Sequence, residues 1–365
     1  MRIVSGILFW TGILLAMFVA GLTMSDNVVA EVIVGLMFTV ERVFLAFTAL
    51  ASFVLIVLGI VLKRHKRLPI ARWRLVTAGI VLLGGVALSV VALKPGFKTR
   101  TASYDSEGVT LAATLYSPTT SDPTPALVLV HGSAAFKRSF YDAFARRLVR
   151  KGYAVLLADK RGAGDSGGEF QSDNNGSIEN LTLLSKDVVA GVKYLTNDPA
   201  IDQGRIGLFG ISQAGWVAPL AATSSPTVSY MVLLTAPTVS IGEEGAWSDL
   251  RGDDQGDAIV GFVEAEQRIL ETGPSGFDPR SLLGQLQIPA LWLFGDIDNS
   301  IPSRKSIAVL DSLSAKHYQY KLYSGYGHML IGKGTSRVPN LAPESWSDIF
   351  QWLAVDAIEE DERLP

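Results

Sequence analysis

Hydrophobic positions follow two regimes along the chain. Residues 3–22, 43–62 and 75–93 are apolar runs without a single charge. Twenty helical residues at ~1.5 Å each cover ~30 Å, the hydrocarbon thickness of a bilayer, so each run predicts a transmembrane helix. Three such runs this close together would overfill a water-soluble core. From Pro95-Gly96 onward the pattern changes to short apolar runs separated by turn residues. Ser106-Glu107-Gly108 reads as a hairpin turn before a strand over 109–116. Further strands are predicted over 126–130, 154–158, 206–209, 230–234, 290–294 and 318–323. Helices are predicted over 139–151, 178–196, 213–222, 303–313 and 345–358. Alternation of this kind predicts an α/β fold: a mostly parallel sheet with helices on both faces. Residues 238–287 break the rhythm. They are acidic and Gly-rich, with one helix near 259–270, and read as a small cap inserted over the sheet edge. The expected organisation is therefore a membrane region over 1–95 and a catalytic-size domain over 96–365.

Charge sharpens that division. Residues 1–95 hold nine Lys/Arg against three Asp/Glu, and the remainder holds 23 against 32. The second part lacks the basic footprint of a nucleic-acid binder. Six Lys/Arg and no acid between Lys63 and Arg74 assign that loop to the cytoplasm. With three spans, the domain after residue 93 then faces the extracytoplasmic side. A fourth span over the apolar stretch 24–42 would reverse it. The chain has no cysteine, which excludes disulfides, a thiol nucleophile and Cys-ligated metal sites. No cofactor or metal is expected. The acidic positions Asp249, Asp253, Asp254 and Asp257 match no standard calcium-loop spacing.

Candidate chemistry starts at Gly210-Ile211-Ser212-Gln213-Ala214-Gly215. A strand ends there and a helix begins, with Ser212 on the turn between them. Small residues on both sides are what a sharp, hydroxyl-exposing turn requires. A serine in this place is also an ordinary helix N-cap. A nucleophilic serine needs a base, and the chain has four histidines: His65, His131, His317 and His328. His328 lies in a Gly-rich loop after the last strand, where it can swing over the strand ends. His317 begins a strand and so sits at the wrong edge. A carboxylate to orient the base is available from Asp296 or Asp298, both just past a buried strand. The oxyanion needs two donors, and the backbone N–H groups of Ser133 and Gln213 fit. His131 then supports the loop.

These pieces resemble the α/β-hydrolase superfamily over roughly residues 100–360. The motifs that carry it are His131-Gly132-Ser133, Asp159-Lys160-Arg161-Gly162-Ala163-Gly164-Asp165-Ser166-Gly167, the serine turn, Gly295-x-x-Asp298-x-x-Ile301-Pro302 and Gly327-His328. The nearest flavour is the esterase and dienelactone-hydrolase-like group. The resemblance implies an α/β-hydrolase fold and a catalytic triad of Ser212, Asp298 and His328, with Asp298 rather than Asp296 as the acid. Ala214 replaces the family's second glycine, and Pro219 inside the following helix predicts a kink. The membrane region has no counterpart in the fold.

The expectation is a membrane-anchored serine hydrolase that cleaves a carboxylic ester or thioester through an acyl-enzyme. Its partners would be a small acyl ester or peptide-like substrate and the lipid bilayer. A serine peptidase or amidase on the same triad is the alternative, with Glu243, Glu244 or the cap aspartates to grip an amine. A non-catalytic membrane-bound binding protein is a third. The literal G-x-G-x-x-G at Gly162–Gly167 is not read as a dinucleotide site, because no helix start follows to hold a pyrophosphate.

Overall fold

A computed structural model describes residues 96–252, 258–313, 315–330 and 343–355. The chain divides into two compact units, 1–95 and 96–365, and every described residue belongs to the second. The three apolar runs, and Asp253, Asp254 and Asp257, lie outside the described residues. Among those described, no helix is long and apolar enough to cross a membrane.

The second unit opens with β1 (Phe97–Ser106) and β2 (Val109–Pro118), paired antiparallel. Glu107 and Gly108 join them, with φ of 54° and 75°. Two left-handed residues in a two-residue loop match the twist of the flanking strands. The Asp105 carboxylate accepts the Gly108 N–H at 3.2 Å. There follow β3 (Thr124–Val130), a 3₁₀ turn at Arg138–Tyr141, α1 (Asp142–Val149), β4 (Ala154–Ala158), α2 (Ile178–Thr196), β5 (Ile201–Ile211), α3 (Ala214–Ser224) and β6 (Val228–Leu234). Three cap helices come next: α4 (Ile241–Arg251), α5 (Phe262–Glu271) and the single turn α6 (Arg280–Leu283). The chain returns through β7 (Ala290–Gly295), α7 (Ser303–Leu313), β8 (Tyr318–Tyr323), a 3₁₀ turn at His328–Leu330 and α8 (Pro343–Val355).

The eight strands form one sheet in the order β1-β2-β4-β3-β5-β6-β7-β8. It is parallel from β4 through β8, and only β2 runs against both its neighbours. Both faces are covered, which is why the strands read as continuous apolar runs. β3 sends Ala126, Val128 and Val130 into one core, with Leu181, Val192 and Val217 of α2 and α3. It sends Leu127 and Leu129 into the other, with Phe144 of α1 and Ile349 and Trp352 of α8. Truncating such a residue to Ala costs about 2–5 kcal/mol, through lost transfer energy and an unfilled cavity.

α3 runs unbroken across Pro219, which lies in its interior. Among the described residues, the stretch after β6 holds three helices rather than one, and α4 forms where no apolar period announces it. Its start is fixed by a capping box: Ser240 Oγ accepts the Glu243 N–H, and the Glu243 carboxylate accepts the Ser240 N–H.

Candidate active site

Ser212 follows β5 directly and has a φ of +56°, a left-handed backbone that a non-glycine residue adopts only when its surroundings force it. Its N–H donates to the Leu234 carbonyl at 3.0 Å, which holds the turn to the end of β6. Two flanking glycines are sterically compelled. A Cβ on Gly210 would lie 2.5 Å from the Ala214 Cβ, and one on Gly215 would lie 2.2 Å from the Pro237 carbonyl oxygen. Ala214 is fully buried and fits. The departure at that position therefore costs the turn nothing, because the tight approach falls on Gly215.

Asp298 and His328 meet. The His328 Nδ1 lies 3.0 Å and 3.1 Å from the two carboxylate oxygens of Asp298. That carboxylate is wholly enclosed and also accepts the N–H groups of Ser300 and Ile301, at 2.8 Å and 3.1 Å. An acceptor held by two backbone donors keeps its position without depending on the histidine. Asp296 does different work: it accepts the Gly325 N–H at 2.7 Å and the Ser324 hydroxyl at 2.9 Å, and so shapes the loop that carries His328. This loop runs back from β8 across the end of β7. A Cβ on Gly295 would lie 2.1 Å from the Tyr326 carbonyl oxygen, so the crossing is in backbone contact. Beyond it, the Met329 N–H donates to Thr235 Oγ1 at 3.2 Å, just past β6. Met329 and Leu330 take φ of 55° and 53°.

Ser133, Ser212 and Gln213 line a single cavity of about 330 Å³ together with Trp216, Ile241 and Glu244. Asp298 and His328 are not among its lining residues. Ser133 follows β3 and Gln213 precedes α3. Among the described residues, neither backbone N–H has an acceptor. His131 is buried, its Nε2–H donates to the Ala158 carbonyl at 2.8 Å, and its ring packs edge-on to Tyr141. Burial, reinforced by the neighbouring Lys160 charge, holds its imidazole down to about 4. It is a neutral prop of the loop. His317 donates to the Leu286 carbonyl at 3.0 Å, far from these groups in the fold.

The cap helix α4 has two working faces. Ile241, Glu244, Gly245 and Ser248 line the cavity. Glu243, Trp247 and Arg251 are buried and face elsewhere. Glu243 pairs with Arg280 at 2.6 Å and Lys305 at 2.9 Å. It is thereby committed within the cap, and Glu244 and Asp249 border the cavity. Arg251 reaches Asn299 Oδ1 at 3.0 Å.

The glycine-rich segment after β4 wraps around a carboxylate. Asp159 accepts the Arg138 guanidinium at 2.6 Å and the Asp165 N–H at 2.8 Å, and Gly164 has no room for a side chain beside it. No helix starts until Ile178, capped by Ser177. Two polar residues near the site carry no distinguishing signal in the sequence: Lys160, inside the glycine-rich motif, and Asn175, in an unpatterned loop. Among the described residues, no cluster of His, Asp and Glu is suited to a metal ion.

Comparison with known proteins adds the following. The profile of the X-Pro dipeptidyl-peptidase (S15) family matches residues 107–252. The chain is 35% identical to the quorum-quenching protein AidA of Acinetobacter baumannii, over 64% of this chain and 90% of that one. Among solved structures, an esterase of Pyrococcus furiosus superposes with a TM-score of 0.52 at 17% identity, covering 71% of this chain and 91% of that one. An acylaminoacyl peptidase of Pyrococcus horikoshii superposes with a TM-score of 0.53 at 18% identity, covering 74% of this chain and 43% of that one.

Proposed function

The chain belongs to the α/β-hydrolase superfamily, in the family of the quorum-quenching protein AidA, and from that premise we propose that it is a serine hydrolase cleaving a carboxylic ester or thioester. The observation that carries the proposal is the His328 Nδ1 lying 3.0 Å from a buried Asp298, in a chain whose Ser212 takes the strained turn between β5 and α3. Ser212 Oγ attacks the acyl carbonyl, and His328 Nε2 takes its proton. Asp298 holds Nδ1–H, fixing the tautomer and stabilising the imidazolium. The carbonyl oxygen becomes an oxyanion held by the N–H groups of Ser133 and Gln213. The C–O or C–S bond breaks and the leaving group departs with the proton from His328. Water, deprotonated by His328, then attacks the acyl-enzyme and releases the acid.

The test uses the full chain against p-nitrophenyl esters from acetyl to palmitoyl and a lactone, with Ser212→Ala beside it. Turnover that falls by roughly 10³-fold or more in the variant supports the assignment. Turnover retained by folded Ser212→Ala overturns it.

A peptidase or amidase reading draws on Glu244 and Asp249, whose placement along the cavity suits a substrate ammonium. Aminoacyl p-nitroanilides in the same panel separate the two. Turnover of the anilides well above that of the esters favours the second.

We further propose that residues 1–95 anchor the enzyme in a bilayer by three spans, with the hydrolase domain on the extracytoplasmic side. The support is the three uncharged runs and the basic loop between the second and third. Protease shaving of intact cells tests it, and protection of the domain overturns the sidedness.

A further inference from the structure

Lys160 lies two residues past β4, buried, with all three ammonium protons committed. Its Nζ donates to the Gly132 carbonyl at 2.7 Å, the Ser133 carbonyl at 3.0 Å and Gln213 Oε1 at 2.8 Å. The network closes through Asn175. The Gln213 Nε2 donates to the Asn175 carbonyl and side-chain oxygen, and the Asn175 Nδ2 donates to the Ser133 carbonyl at 2.7 Å. Burial pulls its ammonium from the ordinary lysine range down to about 7, and in its protonated form this one side chain ties together the two segments that supply Ser133 and Gln213. It lines a small interior cavity beside His131 and is absent from the lining of the cavity that holds Ser212.

The bond to Gly132 is the informative one. The Gly132 carbonyl and the Ser133 N–H belong to the same peptide unit, which is planar and trans. Its C=O and N–H therefore point in opposite directions. An ammonium holding the carbonyl at 2.7 Å fixes the plane and turns the Ser133 N–H away from itself. It also draws electron density toward the oxygen, so the N–H becomes a stronger donor, as in any chain of polarised hydrogen bonds. The Gln213 N–H is fixed in the same manner from the other side. Its peptide carbonyl, that of Ser212, accepts the Gly215 N–H at 2.9 Å.

We propose that Lys160 is a positioning residue that aims and polarises the Ser133 N–H through the Gly132 carbonyl, so that the site favours the tetrahedral oxyanion over the planar ester. This rests on the reading of Ser212 as nucleophile and of Ser133 and Gln213 as oxyanion donors. A group that serves only the transition state changes kcat and leaves KM in place.

The experiment compares the full chain with Lys160→Met, which keeps the length and apolar stem and removes the cation. It measures kcat and KM for a p-nitrophenyl ester, and the affinity of an alkyl boronic acid that forms a tetrahedral adduct on serine. The expected result is a fall in kcat of about 100- to 1000-fold, the range for losing one oxyanion donor. KM should change less than threefold, and the boronic acid should weaken by a factor similar to kcat. Lys160→Gln, with the donor retained but not the charge, should lie between. It also carries the test if Lys160→Met loses its native melting transition. A folded variant with kcat within threefold of wild type, or with unchanged boronic acid affinity, overturns the proposal. Ser212→Ala is run in parallel. Turnover that survives it sinks the nucleophile assignment, whereas Ser212-dependent turnover indifferent to Lys160 sinks only this inference.

Discussion

The indole N–H of Trp247 donates to the backbone carbonyl of Asp298 at 3.1 Å. Trp247 is buried on the face of α4 turned from the cavity, and Ile241, Glu244 and Ser248 line that cavity from the other face. One cap helix thus meets both the cavity beside Ser212 and the candidate catalytic acid. Trp247→Phe keeps the ring and deletes the donor, leaving a buried carbonyl unsatisfied at a cost of about 1–3 kcal/mol. The expected outcome is a fall in kcat of roughly 5- to 50-fold with KM little changed, read from steady-state kinetics on esters of two chain lengths. A kcat equal to wild type in a folded variant would show that the acid does not depend on the cap.

The two aspartates after β7 should separate cleanly. Asp298→Asn leaves an amide against His328 Nδ1 and permits the wrong tautomer, so kcat should fall by about 10³- to 10⁴-fold. Asp296→Asn keeps one acceptor for the Gly325 N–H and Ser324 hydroxyl, so the loss should stay within about tenfold. Reversal of that order would reassign the acid.

Around the serine turn, sterics predict an asymmetry. Ala214→Gly should retain activity within a few-fold. Gly215→Val drives a branched side chain into the Pro237 backbone and should destabilise by about 3 kcal/mol, the upper end of overpacking costs. Denaturant melts of both variants decide it. Equal midpoints would mean that the turn tolerates bulk there.

Acid should weaken the fold in two stages. His131 is buried neutral, with its imidazole lowered to about 4. Between pH 6.5 and 4 the unfolded chain takes up a proton that the folded chain refuses, so stability declines as pH falls through that window, by roughly 3 kcal/mol. Burial alone would raise the Glu243 carboxyl, but the bonds from Lys305, Ser240 and Arg280 outweigh it and hold it down to about 2. Its contribution is full above pH 4.5 and is lost as pH falls toward 2. Urea midpoints between pH 8 and 3 test both. His131→Gln should flatten the upper stage and Glu243→Gln the lower, and a wild-type midpoint flat from pH 7 to 4 would refute the His131 account.

Sequence legibility follows burial. α2, α7 and β8 match their expected limits, because their apolar positions keep one period throughout. β1 carries no such signal because six of its ten residues are exposed and polar, as befits an edge strand held by pairing with β2 alone. α4 carries none because Ile241-Gly242-Glu243-Glu244-Gly245 has no helical period. It stands on a capping box and on ion pairs to Arg280 and Lys305, residues remote in sequence. The candidate triad was legible as an ordered set of strand-end residues. Lys160 was not: a lysine carries no signal that distinguishes a surface charge from one closing three hydrogen bonds across β3, β4 and β5.

The contact between Gly295 and the Tyr326 carbonyl sets a clearance. Neighbouring strands lie about 4.8 Å apart, so β8 stands about 14 Å from β5, and a histidine leaving β8 must be carried back over β7 to serve a serine leaving β5. The loop makes that passage pressed onto β7, and it can do so only because the strand ends in a residue without a side chain. One methyl group at position 295 would lift the arch by an ångström or more and raise the imidazole with it. The reach of the candidate base is thus metered by the thickness of a strand it never joins.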